Sequence, residues 1–113
     1  MSRFMQIEIR IKQVYEAGFA SDFPRIADFL RLAGYGEVLE AEPSFYALVD
    51  RLEMLARDPH VPEQMKPALK RLLPVMLDLR NKARETLLQR ELDALDRLLY
   101  QLEDAFEDLE SQL

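Results

Sequence analysis

The chain has no cysteine, which excludes a disulfide framework, a thiolate metal site and a thiol nucleophile, and suits a reducing compartment. It has only three glycines, a scarcity that favours helices, and a single histidine, His60. It contains no Gly-rich phosphate loop, G-x-S-x-G, H-E-x-x-H, EF-hand loop or dinucleotide-binding fingerprint, so the expectation is a protein that is not an enzyme and carries no cofactor. Long apolar runs are also missing. Arg3, Glu8, Arg10 and Lys12 interrupt the first twelve residues, and Lys70, Arg71, Pro74 and Asp78 interrupt the most apolar later stretch, Leu69 to Leu79. Neither a signal peptide nor a span of ~20 apolar residues is expected, which points to a cytoplasmic protein off the membrane.

What is present suits one helical domain. A length of 113 residues, 49% hydrophobic and 32% charged, is enough to bury a core without staples and argues against disorder. The expected fold is all-α: three short helices in residues 1–57, a Pro-rich connector at 58–67, and one long helix bent at Pro74 over residues 68–113. Phe4, Ile7, Ile11, Val14 and Tyr15 share one face of a helix from Ser2 to Ala17, which Gly18 ends. Ser21 or Asp22 caps a second helix with Pro24 in its first turn and a stripe of Phe23, Ile26, Ala27, Leu30 and Ala33. Gly34 and Gly36 stop it. Pro43 opens a third helix, whose stripe is Phe45, Leu48, Val49, Leu52, Leu55 and Ala56, and Asp58–Pro59 closes it.

The stretch from Val75 to Leu113 holds neither glycine nor proline and reads as one unbroken helix, almost ~60 Å long. From Leu88 onward, Leu88, Leu92, Leu95, Leu99, Leu102, Phe106, Leu109 and Leu113 alternate steps of four and three, the apolar seam of a helix that lies along another. Its charge is polarised. Residues 66–90 carry seven basic side chains against two acidic, a net +5, and residues 91–113 carry one basic against eight acidic, a net −7. Pairing two such arms antiparallel sets the basic half of one beside the acidic half of the other, so the expected partner is a second copy, in an antiparallel dimer built on the seam. A monomeric bundle that buries the seam internally is the competing arrangement.

Two functional readings follow. The first is a non-catalytic interaction module, a chaperone, adaptor or accessory factor, that binds a protein through Leu88, Leu92, Leu95, Leu99, Leu102, Phe106 and Leu109. The second is an acidic regulator that occupies a partner's basic site with Glu103, Asp104, Glu107, Asp108 and Glu110. That acidic run has no Glu-x-x-His pair, so no metal site is expected there. The net charge of −6 makes nucleic acid an improbable partner, even with Lys66, Lys70, Arg71, Arg80, Lys82, Arg84 and Arg90 gathered in one segment. His60, beside Asp58 in the connector, reads as part of a turn. Met5, Met54, Met65 and Met76 read as core fillers.

Overall fold

The computed structural model describes Ile11, Tyr15 and residues 17–113. The helix expected from Ser2 to Ala17 falls mainly outside the described residues, and within it Ile11, Tyr15 and Ala17 are not helical. The rest is all-α, with no strand among the described residues: α1 (Phe19–Asp22), α2 (Pro24–Leu32), a 3-10 helix (Gly36–Ala41), α3 (Phe45–Arg57), a short 3-10 turn (Glu63–Met65), α4 (Lys66–Leu88) and α5 (Leu92–Gln112).

The N-terminal elements follow local rules, with one difference in capping. Pro24 sits in the first turn of α2, where its missing N–H has no intrahelical partner to lose. Ser21 and Asp22 do not cap α2, because both belong to the single turn α1, and the residue before α2 is Phe23. The α2 C-terminus closes with Gly34 at φ 85°: its N–H donates to Arg31 O, and the Tyr35 N–H reaches back to Leu30 O at 2.8 Å. That is a Schellman closure, and its left-handed residue is where glycine costs least. Ser44 caps α3, its Oγ accepting from Ala47 N at 3.1 Å.

The expected arm from 68 to 113 is not continuous. α4 runs through Pro74, whose ring lies on the exposed side, and stops at Leu88. The backbone then repeats the Schellman pattern: Arg90 N–H donates to Leu87 O at 3.1 Å and Glu91 N–H to Thr86 O at 3.0 Å. Arg90 holds the left-handed position at φ 60°. After three residues α5 returns antiparallel along α4, so that Gln112 at the end of α5 comes beside Gln64, Pro67, Ala68 and Arg71 at the start of α4. The basic and acidic halves thus lie side by side and antiparallel, within one chain.

One core joins these elements. Phe19, Ile26, Leu30, Leu48, Leu52, Leu55, Leu69, Met76, Leu102, Phe106 and Leu109 are buried in one cluster, in which each large side chain contributes on the order of 1.5–3 kcal/mol. Phe45 of α3 stacks on Phe106 of α5 at 4.5 Å between centroids, and Phe23 meets Phe45 edge-on at 5.1 Å. Tyr15 packs edge-on against Phe19, Phe23 and Phe45 and donates its hydroxyl to Pro43 O. Between α3 and α4, the buried Arg80 reaches Asp50 at 2.7 Å, and Arg84 Nε donates to Tyr46 Oη at 3.0 Å. The result is elongated, 52 × 26 × 25 Å, with a radius of gyration of 15.5 Å against about 13 Å for a compact chain of this length.

Candidate interaction surface

The seam residues divide between buried, half-buried and exposed positions. Leu102, Phe106 and Leu109 are 1% exposed or less, and Leu95 is also buried, all within the chain's own fold. Leu99 and Leu113 are half-buried. Leu88 is 79% exposed and Leu92 52%. In this conformation the seam offers a partner only its first two leucines, because the antiparallel return of α5 has buried the inner ones.

Leu88 and Leu92 each stand two residues from Arg90, so the turn sets them at one level, on the last turn of α4 and the first turn of α5. Leu88 follows Arg84 by one helical turn, and Leu92 precedes Glu110 by five turns at ~100° per residue. Arg84 and Glu110 face α3 and α2 respectively, through Tyr46 and through the α2 backbone. Both leucines therefore prolong, toward the end of the hairpin, the face that α2 and α3 occupy further down. Leu87, Ala94 and Leu98 beside them are half-buried. Arg84, Arg90, Glu91 and Asp96 border the two leucines with exposed charge of both signs.

The acidic run divides too. Glu103, Asp104, Glu107 and Asp108 lie exposed on the outer side of α5, and none has an ion-pair partner among the described residues. Glu110 turns inward. Its two carboxylate oxygens accept from Arg25 N at 2.7 Å and Ile26 N at 2.8 Å, and Arg25 Nη1 donates to Ser111 O at 3.3 Å. Glu110 is therefore a remote cap for α2, which has no side-chain cap of its own. Glu42, itself at φ 47°, does the same for α1, accepting from Phe19 N at 3.0 Å. Gly18 at φ 96° lets it approach, since a Cβ there would stand 3.3 Å from a Glu42 oxygen. Periodicity carries no signal for these long-range caps. At α2 the local candidates Ser21 and Asp22 concealed the remote cap, because both are taken up by α1.

Other candidates hold no reactive arrangement. Asp58 Oδ1 accepts from the His60 N–H at 2.9 Å and lies 3.2 Å from His60 Nδ1, a closed turn in which the histidine ring stands in solvent. The same backbone N–H holds the Asp58 carboxyl below the usual carboxylate range. No group of three His, Asp or Glu among the described residues could hold a metal ion. A shallow cleft between the first 3-10 helix and α3 is lined by Glu37, Val38, Pro43, Ala47, Leu48 and Arg51, without a nucleophile or a base–orienter pair. Of the basic segment, Lys66 and Arg80 are buried and bound to Glu63 and Asp50, and Lys82 pairs with Asp78 at 2.9 Å. No described helix is long and apolar enough to cross a membrane. No protein-family model matches the chain, and neither a curated protein nor a solved structure does.

Proposed function

We propose that the protein is a non-catalytic protein–protein interaction module that docks through the end of the α4–α5 hairpin, around Leu88 and Leu92. The observation that carries this reading is the exposure of two leucines at one level of a tight turn, whereas the other large apolar side chains exposed among the described residues, Leu32, Met54, Val75 and Tyr100, each stand on a different helix. Burying such a pair against a partner contributes on the order of 1.5–3 kcal/mol for each side chain, and the surrounding charges of both signs supply a polar rim. A photo-crosslinking residue at position 88 in the cell, compared with one at Lys82 on another side of α4, tests it. Adducts at 88 and none at 82 are expected; no adduct at 88 overturns the reading.

A second reading rests on four exposed carboxylates of α5, Glu103, Asp104, Glu107 and Asp108, which have no ion-pair partner among the described residues and suit a basic site on a partner. The two differ in salt response. A complex held by Leu88 and Leu92 persists in 1 M salt, where screening acts within about 3 Å, and one held by the carboxylates dissociates.

A further inference from the structure

We infer that the partner at Leu88 and Leu92 is a second copy of this chain, which exchanges α5 by straightening the turn at Gln89–Glu91. The inference rests on the docking reading above and names its occupant. Three observations meet at this turn. The segment from Val75 to Leu113 has no glycine or proline, and every residue of the turn is a good helix former. The turn is nevertheless closed by Arg90 in the left-handed region, at φ 60°, where the α2 closure uses Gly34. The apolar seam of α5 also begins on the α4 side of the turn, at Leu88, and keeps its four–three spacing through Leu92, Leu95 and Leu99, although the hairpin leaves its first two members in water. Short hinges under strain favour exchange of an element between identical chains.

In the exchanged form, Lys66 to Gln112 is one helix, and two such helices cross antiparallel about a two-fold axis near Arg90. Each α5 re-forms with the other copy the contacts it has here: Phe106 on Phe45, Glu110 on the Arg25 and Ile26 N–H groups, and its stripe along α4. What is new lies at the crossing. Leu88 and Leu92, equidistant from Arg90, meet Leu92 and Leu88 of the second copy, so the side chains left in water by the hairpin are covered. The basic segment still lies beside an acidic one, now across the two-fold.

The experiment uses the full chain, whose lack of cysteine lets Arg71→Cys and Asp108→Cys, both exposed, carry a unique spin-label pair. Labelled chain diluted into unlabelled chain reports the distance within one molecule: under about 25 Å in the hairpin, and ~55 Å when 37 residues of continuous helix separate the labels. Solution mass is read in parallel, across a concentration series into the high-micromolar range. The wild type should show a dimer that grows with concentration together with the long distance. Changing Gln89, Arg90 and Glu91 all to Ala should move both readouts toward the dimer. R90G should move both toward the monomer, by roughly tenfold per hinge and a hundredfold per dimer. Monomers with only the short distance, in both the wild type and the triple-alanine variant, overturn the exchange. A dimer with only the short distance overturns it too. If the purified chain is monomeric while position 88 crosslinks a different protein, the second copy is excluded and the docking reading stands.

Discussion

Glu110 accepts a hydrogen bond from the backbone N–H of Ile26 at 2.8 Å, across 84 positions of sequence, and ties the end of α5 to the start of α2. With the companion bond from Arg25, one carboxylate satisfies two of the N–H groups that a helix start leaves unpaired, and its charge lies at the positive end of the helix.

E110A should therefore lower the unfolding free energy by about 1–2 kcal/mol, the usual cost of a lost N-cap. E110Q keeps one acceptor oxygen and should lose about half of that. Urea denaturation of the three proteins checks both figures; a neutral E110A would mean that water replaces the cap without loss.

Phe106 and Leu88 belong to one seam but differ in energy. F106A removes a side chain with no exposure that stacks on Phe45, and should cost about 3–5 kcal/mol. L88A removes one that is mostly in water and should change the stability of the monomer by less than about 0.5 kcal/mol. Denaturation at low protein concentration makes the comparison.

In the monomer, R90G should raise stability by about 1 kcal/mol, because it removes the clash that an L side chain suffers at positive φ. R90A keeps the Cβ and should give none of this gain. The melting temperatures of the two variants at low concentration distinguish backbone relief from the loss of the charge.

Tyr15 gives an alkaline limb. Burial, then the nearby Glu42 and Asp22 charges, push its phenol well above the usual tyrosine value, so the folded state favours the protonated ring, which donates to Pro43 O. A group raised in this way adds stability that is complete below its unfolded pKa, near 10, and is lost as pH climbs past that value. Y15F should thus be less stable than the wild type at pH 8 by about 1 kcal/mol, and the difference should shrink by pH 11. A gap independent of pH would show that the phenol is not what is lost.

The positions of α2 and α3 were legible because their signals are local. Pro24, the Gly34 stop, Pro43–Ser44 before α3 and Asp58–Pro59 after it act on the backbone within a turn or two, and the stripes Phe23–Leu30 and Phe45–Leu55 state which face is buried. The break at Gln89–Glu91 was not legible. Its left-handed residue is an arginine, the seam starts one residue before the break at Leu88 and continues after it, and neither glycine nor proline interrupts the segment. Arg80 with Asp50 and Glu110 with α2 were equally silent, since a buried guanidinium and a remote cap look in sequence like ordinary surface charge.

By itself, the sequence determined that the chain is helical, where α2 and α3 lie, which face of each is apolar, and that a basic and an acidic segment suit antiparallel neighbours. Only the tertiary structure decided that these neighbours lie in one chain, folded as a hairpin. The reason is one of magnitude. Straightening the turn would relieve about 1–2 kcal/mol of left-handed strain at Arg90. Folding it buries Leu95, Leu102, Phe106 and Leu109, each worth on the order of 1.5–3 kcal/mol. For an isolated chain the second sum is larger, and only long-range packing registers it.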